Sequence, residues 1–166
     1  RAHGDLRAAP APRLGGRRRR DARAHPGYVE ASEATSRLIA SRRLRATAPE
    51  LTELSLGCAQ LGNLHRAMDA LTADATVDAA WASGVRYFDT APHYGLGLSE
   101  RRLGAALTTR PRAEYILSTK VGRLLEPLPA ARGQDDDGFA VPATHRRVWD
   151  FSHDGIRRSL ESFLAR

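Results

Sequence analysis

The chain has 166 residues and a formal net charge of +7, with 42% apolar and 27% charged residues, which fits one domain of ordinary size or a piece of a larger one and excludes a wholly disordered chain. No stretch nears the roughly 20 consecutive apolar residues of a membrane span, and no apolar segment follows the basic start, so membrane-spanning and Sec-exported readings are disfavoured and a cytoplasmic location is expected. Cys58 is the single cysteine, which excludes an internal disulfide framework. Because residue 1 is Arg and Met68 is the only Met, the translational start is expected to lie upstream.

The charge is unevenly placed. Residues 1–50 hold twelve Arg against Asp5, Asp21, Glu30, Glu33 and Glu50, which accounts for the whole excess, and the remainder is neutral. This segment is rich in Arg, Ala, Pro and Gly, carries four consecutive Arg at 17–20 and shows little hydrophobic periodicity. It reads as a disordered basic N-terminal tail without a core of its own. Such a tail can bind phosphate backbones without sequence preference, so a basic-tailed nucleic-acid-binding module is the alternative reading of the chain. A solvated extension, or upstream sequence joined by a misplaced start, is preferred because no basic face continues into the rest. An organelle transit peptide has no further support. Residues 31–45, with Leu38, Ile39 and Leu44, are compatible with a short helix.

From residue 51 the pattern changes. Leu54 and Leu56 alternate with Glu53 and Ser55 and run into Gly57, as a short strand ending in a turn does. Residues 74–83 carry Val77, Ala80 and Trp81 at helical spacing, and Gly84 follows where a helix end favours positive φ. Residues 85–88 are β-branched and aromatic and lead into Asp89, Thr90, Ala91 and Pro92, which predicts a second strand and a loop. Ser99 is a plausible N-cap for a helix through Leu103 and Leu107. Residues 115–121 have the apolar content of a buried strand. Residues 122–150, rich in Gly, Pro and Asp, are expected to form a long irregular loop. Ser152 can cap a final helix whose Ile156, Leu160 and Leu164 recur every four residues.

Strand and helix therefore alternate as in parallel βα units, an α/β arrangement. Three units cannot close a barrel of eight strands, so the pattern describes either a small open α/β domain or the front part of a larger one.

Asp89 falls at the end of one predicted strand, Tyr94 five residues on in its loop, and Lys120 at the end of the next. The ends of neighbouring parallel strands open onto one face, so a carboxylate, a phenol and an ammonium can meet there. A phenol with reference pKa of about 10 is a poor proton carrier near neutrality, and an adjacent ammonium favours its phenolate. Asp89 would hold Lys120, and Tyr94 would exchange a proton with the oxygen of a carbonyl or alcohol. Lys120 is the single Lys beside 25 Arg, and an Arg could supply charge but not a compact ammonium of adjustable pKa.

Three blocks, LSLGCAQLG from Leu54, GVRYFDTAPHYGLGLSERRLG from Gly84 and LSTKVG from Leu117, resemble in order and spacing the aldo/keto reductase family. The GLGLSERRLG and STKVGRLL wording, with RVWDFSHDGIRRSLE after the loop, is most similar to its bacterial aldose dehydrogenase branch, which includes enzymes oxidising L-fucose, D-threo-aldoses or pyridoxal. The resemblance covers residues 51–166 and implies the N-terminal part of a (β/α)8 TIM barrel, about its first three βα units. It further implies an oxidoreductase that uses NADP or NAD as cofactor to transfer hydride to or from a small-molecule carbonyl or sugar substrate. Asp89, Tyr94 and Lys120 match three of the family's four catalytic residues, with Tyr94 as acid/base. The family's fourth, a His after the next strand, is expected beyond Arg166, as are most of the loops that bind the cofactor's phosphates, so the chain alone is expected to be inactive. Gly57 and Cys58 match the approach to the nicotinamide and are the cofactor-binding candidates.

His93 is the one candidate for standing in for that His, although a neighbouring loop residue usually points elsewhere. Cys58 otherwise reads as a small packing residue. The remaining histidines form no metal-ligand spacing with Cys58, so no structural zinc is expected. Asp135, Asp136 and Asp137 lack the ordered spacing of a calcium loop and read as solvated.

Overall fold

The structure is a computed structural model that describes residues 39–43, 45–46 and 49–166. The basic run at 17–20 and most of the expected tail lie outside the described residues. Within residues 31–45, where the sequence predicts a short helix, Ser41–Arg43 is instead a strand, β1, paired antiparallel with β2, Glu50–Thr52. The pairing brings Arg42 to Glu53 at 2.9 Å and Arg43 to Glu50 at 3.2 Å, and a strand partner overrides weak local helix preference. Leu54, predicted to lie in the first core strand, is 63% exposed. Thr52 Oγ1 donates to the Leu54 carbonyl at 2.8 Å, a local turn that ends β2 and leaves only Leu56–Gly57 as β3.

Three parallel strands form the central sheet. β3 pairs with β4, Tyr87–Asp89, and β4 pairs with β5, Ile116–Ser118. The register sets Gly57 and Ser118 on either side of Asp89. Helix α1, Ala70–Ala82, begins before residue 74 because Asp69 accepts the Thr72 N–H at 2.7 Å and so caps an earlier turn. It stops where Gly84 takes φ +92°. Helix α2, Leu98–Leu107, is capped by Gly97. Ser99 is no cap: it is buried inside the first turn, where its Oγ donates to the Cys58 carbonyl at 2.6 Å and meets Thr90 Oγ1 at 2.9 Å. It ties α2 to the loops leaving β3 and β4. Phe88, Leu61, Leu103, Leu107 and Val77 are fully buried between sheet and helices, each contributing about 1.5–3 kcal/mol of burial.

The expected irregular loop after β5 is largely a hairpin. β6, Arg123–Pro127, and β7, His145–Trp149, pair antiparallel from Arg123↔Trp149 to Pro127↔His145, so the irregular part shrinks to residues 128–144. That connection is anchored by Phe139 and Val141, which are buried against Leu96. The acidic run is split in role. Asp136 is 97% exposed, whereas Asp135 is buried against Arg147 and Asp137 reaches Arg123 at 2.7 Å, so two of the three carboxylates hold the hairpin. Helix α3, His153–Leu164, begins at Ser152, whose Oγ accepts the Gly155 N–H at 3.1 Å. Its Ile156, Leu160 and Leu164 are exposed in this structure.

The loop after β4 lies directly on the turn after β3. A Cβ placed on Gly62 would stand 2.6 Å from the Tyr94 carbonyl carbon and 2.7 Å from its oxygen, and one on Gly95 would strike the Gly62 carbonyl. Two glycines thus permit backbone to touch backbone. Gly62→Ala is expected to destabilise the chain by about 1–3 kcal/mol, read as a lower urea midpoint at unchanged m-value; a parental midpoint would refute the close approach.

Candidate active site

The site begins at the C-terminal edge of β4. Asp89 is the last ladder residue, and its backbone carbonyl accepts the Cys58 N–H at 2.8 Å. Its carboxylate is met by two donors from β5 and the residues just after it: Ser118 Oγ at 2.7 Å from Oδ1 and Lys120 Nζ at 2.7 Å from Oδ2. Lys120, two residues beyond β5, also donates to the Thr90 carbonyl at 3.0 Å. Ser118 Oγ lies 3.1 Å from the Tyr87 hydroxyl, extending a chain of polar contacts beneath the pair.

Partial burial works to raise the Asp89 pKa, but the hydrogen bonds from Lys120 and Ser118 outweigh it and hold the carboxyl below its ordinary value. Partial burial likewise works against the Lys120 charge, and the Asp89 hydrogen bond together with the nearby Tyr94 reverses that and leaves its pKa raised. Both side chains keep 46% and 37% of their surface for Lys120 and Asp89 respectively, so the pair contributes at most about 1 kcal/mol to stability. Its value is geometric.

Tyr94 lies in the loop between β4 and α2, with its ring centroid 5.2 Å from Lys120 Nζ. The structure thus gathers Asp89, Tyr94 and Lys120 on one side of the sheet. Gly57 sits at the end of β3 beside Asp89, and a Cβ built on it meets no atom within 4 Å, so a flat ring has room to approach the strand there. The open, side-chain-free end of β3 beside Asp89 leaves space that fits the flat ring of a nicotinamide cofactor. Cys58 is placed differently. Its side chain is fully buried in the core, and burial foremost, with the Asp89 charge, pushes its thiol pKa up to about 12. Only its backbone borders the site.

His93 packs edge-on against Tyr94, with centroids 4.7 Å apart, and lies 6.3 Å from Phe139. Burial, followed by the charges of Arg123 and Arg147, drives its pKa down to about 4. The sequence reading missed Ser118 and Tyr87. Ser118 was discoverable as the residue two before Lys120 on the same strand face, since side chains alternate along a strand; Tyr87 follows from the same rule two residues before Asp89.

The sequence model of the aldo/keto reductase family matches residues 53–166. The chain is 56% identical over 110 residues to D-threo-aldose 1-dehydrogenase of a Pseudomonas species, covering 64% of this chain and 33% of that protein. It is 41% identical over 128 residues to pyridoxal 4-dehydrogenase of Microbacterium luteolum, covering 72% and 37%. The fold is similar to that of an aldo-keto reductase from Bacillus halodurans, with a TM-score of 0.55 at 29% identity, covering 76% of this chain and 36% of that one. The chain belongs to the aldo/keto reductase family, and its three parallel βα units are part of a (β/α)8 barrel. It spans about a third of the length of the curated relatives it matches. Among the described residues no helix is long and apolar enough to cross a membrane.

The depressed His93 pKa carries a sign. The folded state favours the neutral ring, so its contribution to stability is present above the unfolded value of about 6.5 and is lost as pH falls from there toward about 4. Denaturation midpoints measured across that window should fall in the parent chain and fall less in His93→Phe; an identical pH dependence would refute the assignment.

Proposed function

We propose that Asp89, Tyr94 and Lys120 form the proton-transfer centre of an NAD(P)-dependent oxidoreductase, within a barrel portion spanning residues 51–166. Its substrate is a small hydroxy or carbonyl compound of the aldose or pyridoxal kind. The observation that carries this reading is Lys120 Nζ, held 2.7 Å from Asp89 and beside the Tyr94 ring at the open ends of parallel strands. A cofactor ring bound there supplies the acceptor or donor of hydride. Gly57 and the backbone of Cys58 would border it.

Each protein group then has one task. Tyr94 donates its hydroxyl proton to a carbonyl oxygen that is gaining charge, or takes the proton of an alcohol in the reverse direction. Lys120 stays charged, because Asp89 holds it so, and its positive field favours negative charge on the phenol oxygen while the proton is away. Asp89 fixes the ammonium's direction, with Ser118 holding the opposite carboxylate oxygen. His93, neutral at working pH and packed on the Tyr94 ring, borders the same loop.

The names of the relatives support the substrate class: one acts on D-threo-aldoses and one on pyridoxal. The nucleic-acid-binding alternative rests on Arg17 to Arg20, which lie outside the described residues, and no feature of the described part favours it.

The test is nicotinamide absorbance on mixing the complete gene product that carries these residues with aldoses or pyridoxal. Tyr94→Phe is expected to lower turnover by about 10²–10⁴-fold, and Lys120→Met to do the same with KM little changed. Parental turnover in Tyr94→Phe would end the reading.

A further inference from the structure

We propose that Arg147, on the hairpin after β5, is a positioning residue that fixes the direction of Tyr94. The inference rests on the reading of Tyr94 as the proton-transfer residue, but its geometric basis is separate.

Arg147 lies on β7 opposite Leu125, in the segment whose composition reads as a long irregular loop. Its side chain is nevertheless only 8% exposed, and that of its partner Asp135 only 2%. The guanidinium grips the Asp135 carboxylate with two nitrogens, Nη1 on Oδ1 and Nη2 on Oδ2 at 2.9 Å. Nη2 has a second N–H, and it goes to the carbonyl oxygen of His93 at 3.2 Å. Nε lies 3.1 Å from Asp137 Oδ2, a charge contact that adds no hydrogen bond, so the direction of the head is set by Nη1 and Nη2.

A buried ion pair is weak ground for stability, because desolvating two charges offsets their attraction. Direction is what it provides. A guanidinium is planar, and once two of its nitrogens are fixed on a carboxylate the remaining donors can point only one way. Here one of them points at the peptide that joins His93 to Tyr94. That peptide is a rigid plane, so fixing its oxygen also fixes the Tyr94 nitrogen. The same nitrogen donates to the Ala91 carbonyl at 3.2 Å, so the plane is held at both ends.

The hairpin also reaches the ring. Phe139, from its irregular connection, leans on Tyr94 with centroids 5.8 Å apart and planes tilted 33°. His93 closes another side of the ring at 4.7 Å. Such restraint is needed locally, because Gly95, Leu96 and Gly97 all take positive φ and no regular element carries Tyr94. Tyr94 is therefore oriented by a hairpin that begins at Arg123 as well as by its own loop, where Ala91 accepts its N–H and its carbonyl accepts the Ser99 N–H.

The experiment compares Arg147→Lys with the double variant Arg147→Met/Asp135→Leu in the complete gene product. A lysine keeps the charge for Asp135 but loses the planar two-nitrogen grip on both carboxylate oxygens, so its rotatable head does not fix a donor in the direction of the His93 carbonyl. The double variant removes the pair without stranding a buried charge. Both are expected to fold, to lose about tenfold to a hundredfold in kcat and to keep their KM. In both, the Tyr94 ring proton resonances, identified by their loss in Tyr94→Phe, are expected to move as the ring leaves His93 and Phe139. Parental kcat in a folded Arg147→Lys, or unmoved Tyr94 resonances, overturns the proposal. So does failure of both variants to fold, since the pair then holds the hairpin and not the tyrosine. If Tyr94→Phe itself turns over at the parental rate, the proton-transfer reading fails, and the resonance shift still decides whether Arg147 orients the ring.

Discussion

A carboxylate at the end of a parallel strand has lost part of its water and must be met by nearby donors, and at Asp89 those donors come from the last residue of β5 and from Lys120 just beyond it. The pairing of Asp89 with Ser118 is what makes this possible. Side chains alternate across a sheet, so a slip of one residue between β4 and β5 would turn Ser118 and Lys120 to the helix-packed face and Leu117 toward the carboxylate. The register is protected by what lies on the other face. Phe88, fully buried, and its partner Leu117 pack into the core with Leu103 and Leu107, while Tyr87, Asp89 and Ser118 share polar contacts on the opposite side. The hydrophobic core and the polar site are thus two faces of one alignment. Burial of Phe88 is worth far more than the exposed Asp89–Lys120 pair, so the core sets the site and the ion pair does not set the core.

Tyr94 is governed by a different constraint. It belongs to no strand or helix, and its position follows from contact between loops: Gly62 against its carbonyl, Gly95 against Gly62, and the hairpin against its ring and preceding peptide. The Ser99 hydroxyl, bonded to the Cys58 carbonyl, draws α2 onto the turn that holds Gly62. A tyrosine on a loop needs such outside support, because the loop alone has too few restraints to keep its hydroxyl in one place.

The three strand–helix units could be read from the sequence because each rests on a strong local signal: the apolar run through Leu117, the aromatic run through Phe88, and Gly84 at a helix end. Asp89 and Lys120 were readable for the same reason, since both stand where an apolar run meets a loop. The hairpin after β5 was not. Its strands, Arg-Leu-Leu-Glu-Pro and His-Arg-Arg-Val-Trp, show no strict apolar alternation, and they are held by the cross-strand Arg146–Glu126 pair and by Leu125 packed on Phe139, Val141 and Leu96. Composition marks Asp135 as solvated because its buried partner stands twelve residues away. At Ser41–Arg43 the expected helix gives way to a strand for a similar reason, because β1 depends on a partner that local propensity cannot represent, while residues 31–38 lie outside the described residues.

The use of Lys at position 120, in a chain that otherwise uses Arg for every basic side chain except histidine, has a geometric reason. Nζ makes two contacts in different directions, to Asp89 Oδ2 at 2.7 Å and to the Thr90 carbonyl at 3.0 Å, and still stands 5.2 Å from the centre of the Tyr94 ring. A small tetrahedral head can serve three directions from one point. A guanidinium is flat and wide, and would take the carboxylate side by side with two nitrogens, as Arg147 does with Asp135, where fixed direction is the purpose. One oxygen of Asp89 would then lose its place for Ser118. Lys120 and Arg147 therefore differ as their contacts differ: Arg147 donates from a buried plane to the carbonyl of the peptide before Tyr94, and Lys120 presents a compact charge 5.2 Å from the centre of the Tyr94 ring.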